Sequence, residues 1–272
     1  MGGCDTFMEI NTERRRVPWE RGQAAWYGGG CRPPARRGRK LAWCLAASIL
    51  CVVCIVLGMR LWQDRRYYLV SLCMIIVACG PFVMSFEGRR PQARQLVVIA
   101  VMAALGIVGR AVFYMLPFVK PTMAVVILAG IYLGPESGFF TGALAAFGSN
   151  YLFGQGPWTP WQMFAMGIVG AIAGILFFSE RWQGRSRPVR NRICISLYGF
   201  FSVVILYGLL MDTASVLMYT DRCSRSLLLA SYASGLPVNL IHGISTCCFL
   251  WILEPFLGRK LHRVRVKYDL IS

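Results

Sequence analysis

The chain has 272 residues, of which 56% are hydrophobic and only 15% charged, and it carries a formal net charge of +17. Soluble domains average about 25% charged residues, so this composition sets a water-soluble globular fold aside. The charges gather in short blocks between long apolar runs, the signature of a polytopic, all-α membrane protein.

Residues 1–40 hold nine Lys and Arg, from Arg14 to Lys40, with Pro, Gly and little periodicity. No apolar core follows a short charged start, so the stretch reads as a basic, disordered cytoplasmic tail and not as a cleaved signal peptide. A nucleic-acid-binding arm has a simpler competitor, because positive residues resist translocation and stay inside. Eight apolar segments follow, at 41–62, 66–86, 95–117, 121–134, 137–153, 160–178, 193–211 and 226–257. Most reach the ~20 residues that a bilayer crossing needs. The fourth is short and spans only with help from a broken start at Pro117 and Pro121. Pro135 and Glu136 read as the start of the fifth. The eighth is long enough to tilt, or to kink at Pro237. Residues 259–272 form a second basic tail.

With the N-terminus inside, twenty-two Lys and Arg fall on the inner side and six on the outer, while Arg110 lies within a span. That asymmetry predicts an even number of spans and both termini in the cytoplasm. Arg60, Arg65 and Arg66, in the first outer loop, run against the rule. The eleven cysteines lie mostly inside spans and read as small apolar filler; only Cys223 faces out. The two histidines, His242 and His262, are too few and too far from paired cysteines for a zinc site.

Polar groups in hydrocarbon are costly and usually face a cavity or each other. In the predicted topology Arg110, Lys120, Asn150, Asp212, Asn239 and His242 come from different spans and links, mostly in the outer half. Asn239 and His242 lie one helical turn apart on one face. Between the fifth and sixth spans runs FGQGPWTPWQMFA (Phe153 to Ala165), far richer than a simple turn. Gln155 and Gln162 offer amide donors and acceptors, and Trp158 and Trp161 offer flat faces. Together these residues predict one outward-opening cavity under an aromatic lid. The alternatives are an interfacial tryptophan belt, a fixed Arg110–Asp212 ion pair, and an interhelical hydrogen bond from Asn239 or His242. A smooth stripe at Ala100 and Ala104, in IAVMAALG, lets another helix approach closely, and Gly167, Gly170 and Gly174 repeat the texture in the sixth span. These stripes serve packing within the bundle or a contact with another protein.

Catalytic machinery is missing. There is no GxxxxGK[ST] loop, HExxH, GxSxG or paired-carboxylate motif, and Asp212 and Glu254 fall at opposite faces. No catalytic residue, metal ligand or cofactor site is predicted, so the chain reads as a non-enzyme. The rivals are a membrane enzyme using Asp212 or His242 as acid or base, and a ligand-free scaffold that docks through the alanine stripe.

The segment PFVKPTMAVVILAGIYLGPESGFFTGALAAFGSNYLFGQGPWTPWQMFAMGIVGAIAGIL (Pro117 to Leu176), with the ending GLPVNLIHGISTCCFLWILEPFLGRKLHRVRVKYDL, closely resembles the substrate-binding S components of energy-coupling factor (ECF) transporters. The resemblance covers roughly residues 93–270. It implies a six-helix core at 93–258, preceded by two additional transmembrane helices at 41–92 that the family's core does not need. It also implies a multi-pass protein of the plasma membrane that captures a vitamin or other micronutrient from outside. Its partners would be a membrane coupling subunit and two cytoplasmic ATPase subunits, with no nucleic acid involved. By position, the coupling contact carries over to Ala100 and Ala104. The family's outer loops and helix ends make the vitamin site, which agrees with the substrate site read independently from Arg110, Lys120, Asn150, Gln155, Trp158, Trp161, Gln162, Asp212, Asn239 and His242. The FGQGPWTPWQ loop is most similar to members associated with cobalamin; the same groups would also accept a flavin such as riboflavin, or a modified purine.

Overall fold

The structure is a computed structural model that describes residues 80, 93–179, 189–220 and 224–268. The basic N-terminal tail, the first two predicted spans apart from residue 80, and Cys223 lie outside the described residues. Seven α-helices follow in order: α1 (Ala93–Val112), α2 (Thr122–Leu133), α3 (Pro135–Phe153), α4 (Thr159–Phe177), α5 (Val189–Phe201), α6 (Gly208–Tyr219) and α7 (Arg225–Tyr268). A π-helical segment, Ser202–Tyr207, joins α5 to α6 without a break, giving one span of 31 residues. No strand occurs among the described residues. Four helical stretches are long and apolar enough to cross a bilayer: α1, α4, the α5–α6 span and α7.

The short helix sits at the centre. All twelve residues of α2 are buried, as expected for a helix that is apolar all round. Its flanks are α1, α3, α4 and α7. At ~1.5 Å rise per residue it is about 18 Å long, well short of the ~30 Å hydrocarbon thickness. It therefore fills only part of the bundle's depth. The chain enters it through an irregular link, residues 113–121, instead of through further helix; the predicted third segment stops at Val112, five residues early.

Glycines bring α2, α3 and α4 into backbone contact. A Cβ on Gly130 would meet the Gly170 carbonyl oxygen at 2.0 Å, and one on Gly138 would meet the same oxygen at 2.5 Å. Such proximity leaves no room for any side chain, so dispersion between backbones holds these helices together. The glycine texture of the sixth predicted span is thus internal packing. Gly134, at φ +96°, makes the turn that separates α2 from α3. Pro135 takes the first position of α3 and Glu136 its first turn, as the sequence predicts.

Two boundaries differ from expectation. The α5–α6 span runs to Tyr219, so Asp212 lies about two turns inside the helix, not at its end. The predicted C-terminal tail is helical through Tyr268, because α7 continues unbroken through Pro237 and Pro255. Its last turns are docked. Leu261 is buried in the main core beside Leu128 and Tyr132, and the Arg265 guanidinium lies 4.3 Å from the Phe178 ring centre. Two turns before Leu261, Glu254 accepts a bond from Arg192 Nε at 3.0 Å, tying α7 to α5. The Ala100 and Ala104 stripe faces out of the bundle alongside Val97 and Val101, whereas Ala103 and Gly106 on the opposite side of α1 are buried.

Candidate functional site

Beyond the N-terminus of α2, where that helix stops short, the bundle forms a half-open cavity of about 260 Å³. The helices α1, α2, α3, α4 and α7, the α5–α6 span and the α1–α2 link all contribute to it. The lining comprises Arg110 of α1, Phe118 and Lys120 of the link, Thr122 and Met123 of α2, Ser149 of α3, Gln162 and Met166 of α4, Tyr207, Met211 and Asp212 of the α5–α6 span, and Val238, Asn239 and His242 of α7. Six of the ten ligand residues expected from sequence meet here: Arg110, Lys120, Gln162, Asp212, Asn239 and His242.

A hydrogen-bonded chain sets the wall. Arg110 Nη1 donates to Ser149 Oγ and to Asn150 Oδ1, both at 2.7 Å. Asn150 is fully buried behind the lining. Its Nδ2 donates onward to Gln162 Oε1 at 2.7 Å and to Thr159 Oγ1 at 3.2 Å. Gln162 Nε2 in turn donates to the Tyr207 hydroxyl at 3.2 Å, and the Tyr207 ring stands edge-on to His242 with centroids 5.4 Å apart. The chain thus ties α1, α3, α4, the π segment and α7 into one unit. Asn150 is a hub instead of a lining group.

The opposite wall carries the acid. Asn239 Nδ2 donates to Asp212 Oδ2 at 3.0 Å. Glycines make room for the pair: a Cβ on Gly208 would lie 2.6 Å from Asn239 Nδ2, and one on Gly235 would lie 2.5 Å from Asp212 Oδ2. The fixed Arg110–Asp212 ion pair is not formed; each group takes neutral amide or hydroxyl partners instead. Asn239 does make a helix-to-helix bond, while still bordering the cavity.

Lys120 completes the site from the link. Its backbone N–H donates to Ser245 Oγ at 3.1 Å, pinning the link to α7. Two residues earlier Phe118 adopts φ +63°, a conformation that bulky residues rarely hold outside tightly determined sites. Burial, and then the facing Arg110 guanidinium, pull the Lys120 ammonium below the usual lysine range.

The tryptophan loop does not reach the cavity. Gly154, at φ +116°, ends α3, and Pro160 lies in the first turn of α4. That early start makes Trp161 part of a helix face. It is 2% exposed and packs with Phe139, Ala143, Phe164 and Ala214. Trp158 folds over Gly156, where a Cβ would come within 2.3 Å of its ring. Gln155 is exposed and donates to the Phe147 carbonyl at 3.3 Å. Trp161 is therefore a core residue, and the expected aromatic lid is a compact helix start.

Tyr207, Ser149 and Thr122 are lining groups that the sequence reading passes over. A hydroxyl-bearing ring in an apolar helix marks Tyr207 as a polar handle. The π segment that ends on it, a feature frequent at functional sites, leaves no sequence signature. No cluster of three or more His, Cys, Asp or Glu able to hold a metal occurs among the described residues.

Comparison with known proteins adds a lineage. Residues 91–254 match the family model described as ECF-type riboflavin transporter, S component. A UPF0397 protein of Vibrio atlanticus (strain LGP32) is 32% identical over 123 residues, covering 43% of this chain and 67% of that protein. A UPF0397 protein of Aliivibrio fischeri (strain MJ11) has the same identity and coverage. A third, from Aliivibrio salmonicida (strain LFI1238), is 39% identical over 88 residues, or 30% of this chain and 48% of the relative. No solved structure gives a significant match.

Proposed function

Given that the chain belongs to the family of ECF-type riboflavin transporter S components, we propose that it is the substrate-binding subunit of a micronutrient uptake system and that the 260 Å³ cavity is its binding site. The observation that carries this reading is the convergence of polar groups from six helical stretches on one hollow near the N-terminus of α2. Such groups are expensive in a membrane unless they serve a cavity.

The size of the hollow favours a compact ligand. Pockets for drug-sized molecules run from about 300 to 1,000 Å³, so this one lies just below the lower end. A corrinoid, with its macrocycle, amide arms and nucleotide loop, is several times too large to be enclosed. A molecule of riboflavin's class or smaller is the better fit, against the cobalamin that the loop resemblance favours.

The cavity end carries the α1–α2, α3–α4 and α6–α7 links, and the opposite end carries the basic end of α7. The positive-inside rule then turns the cavity toward the outside and the C-terminus toward the cytoplasm. No residue performs covalent chemistry. Capture occurs at the outer face, and the membrane coupling subunit, driven by two cytoplasmic ATPases, reorients the bundle. Ala100 and Ala104 are the contact for that subunit: they face outward and are small enough for close helix approach.

The test is binding by the isolated full chain in detergent. Riboflavin, cobalamin and a yeast extract are each incubated with immobilised protein, which is washed, denatured and analysed by mass spectrometry. One compact organic compound should be retained at about one per chain, without the ATPases. Retention of cobalamin alone would overturn the size argument, and retention of nothing would overturn the function.

A further inference from the structure

The charges around the cavity are unevenly placed, and their placement constrains the chemistry of what enters. Two cations, Arg110 and Lys120, border the hollow with one carboxylate, Asp212. Arg110 spends Nη1 on the neutral oxygens of Ser149 and Asn150. Asp212 is occupied by Asn239 Nδ2. No ion pair joins either cation to a carboxylate among the described residues; Arg192 pairs with Glu254 far along the bundle.

The N-terminus of α2 adds to the same side. Thr122 and Met123, its first two residues, border the cavity. The leading amides of a helix carry partial positive charge. The cap residue, Pro121, supplies no side-chain cap, and Thr122 Oγ1 donates away to the Gly106 carbonyl at 3.0 Å. Two side-chain cations and a helix start thus face one small, half-open volume whose charged lining groups are partly buried. They raise each other's cost there, since like charges repel more strongly at low dielectric. Burial and the nearby guanidinium both disfavour the Lys120 ammonium. An arrangement that is unfavourable when empty becomes favourable once an anion lies between the two cations.

Resting on the reading of this cavity as the micronutrient site, we propose that the compound it takes is an organic acid. A carboxylate or phosphate is held between Arg110, Lys120 and the start of α2, while a donor group on the same molecule faces the free edge of Asp212. A neutral flavin lacks the anion and would leave both cations unpaired. The amphipathic remainder of the compound meets Phe118, Met166 and Met211. Arg110 is positioned through Asn150, whereas Lys120 hangs on the link and can close on the anion as it enters.

The same yeast-extract capture decides this, with the released compound examined for charge by anion-exchange retention at pH 7. The expected result is a compound that is anionic at pH 7. K120Q should retain about tenfold less of it or lower still, as expected for loss of a charge-assisted contact, and K120R should hold near the wild-type amount. Size-exclusion profiles of K120Q and K120R report whether each is folded. If K120Q fails to fold, the charge of the compound released from wild-type protein still decides. A neutral or cationic compound, riboflavin included, would overturn the inference while leaving the transport reading intact. So would wild-type retention by folded K120Q. If wild-type chain retains nothing, the transport reading itself fails, and this inference with it.

Discussion

Asn150 is the residue on which the cavity wall depends, and its replacement gives the sharpest test of the geometry. In Asn150→Ala, Arg110 loses one of its two acceptors, Gln162 Oε1 loses its donor, and Thr159 Oγ1 keeps only the Gly156 N–H of its two donors. A hydrogen bond to a charged group is worth about 1.5–3 kcal/mol and a neutral one about 1. Arg110 and Gln162 both border the cavity and can recover part of this from water, so the expected net loss is about 2–4 kcal/mol. Asn150→Asp should behave differently. The carboxylate still accepts from Arg110, now as an ion pair, and can accept from the Thr159 hydroxyl. Gln162 can rotate its amide by half a turn, so that its NH₂ faces the new acid and its carbonyl accepts from Tyr207. The aspartate variant should therefore recover more than half of what alanine loses. Reversible unfolding of the purified chain in mixed micelles, followed by tryptophan fluorescence, gives both values. The reasoning fails if Asn150→Ala lies within about 0.5 kcal/mol of wild type, the range of an inconsequential substitution, or if Asn150→Asp is no better than alanine.

Trp161→Ala should cost about 3–5 kcal/mol of stability through the cavity it leaves, whereas Trp158→Ala, at the surface turn, should cost far less; the same unfolding assay separates them. Ala100→Trp and Ala104→Trp should leave binding by the isolated chain unchanged and abolish co-purification with the coupling subunit and its ATPases. Binding of an acidic compound should weaken as pH rises through the lowered Lys120 range, because only the ammonium attracts the anion. The groups facing Lys120 are Arg110, Asp212, Tyr207 and His242, and K120R should move the loss to higher pH. The empty fold should respond with the opposite sign. The unfolded chain binds the lysine proton more tightly, so stability rises with pH between the lowered value and the ordinary lysine range; titration calorimetry and unfolding across that window check the two slopes.

Much of the fold is legible in the sequence because a bilayer imposes a strict length and polarity rule on each segment. The helices at 122–133, 135–153 and 159–177 fall within two residues of the apolar runs that predict them. Pro117 and Pro121 signal the broken start of α2, and Pro135 the first turn of α3. Helix continuation is less visible. Arg259, Lys260, Arg263 and Arg265 look like a solvated tail, yet Leu261 and Val264, three residues apart among them, hold α7 against the core. The end of α6 was hidden similarly, since Asp212 interrupts the apolar run without interrupting the helix.

The site divides along the same physical line. Intramembrane charge and amide groups are costly, so Arg110, Asp212, Asn239 and His242 stand out from their neighbours and do meet at one hollow. Aromatic residues carry no such penalty. A tryptophan at a helix start can face lipid, a ligand or the core, and composition does not distinguish the three. At Trp161 the choice is made by register: Pro160 starts α4 early enough to turn the next residue inward, onto Ala143 and Ala214. The cavity itself was foreshadowed by a deficit. α2 is too short to cross a bilayer, and the depth it leaves unfilled has to be closed by something other than helix. Here that is a strained aromatic link, a lysine with no carboxylate paired to it among the described residues, and a space of about 260 Å³. A full-length second helix would have covered the same polar ends with apolar side chains. The short helix and the polar cavity are thus two consequences of one feature of the sequence.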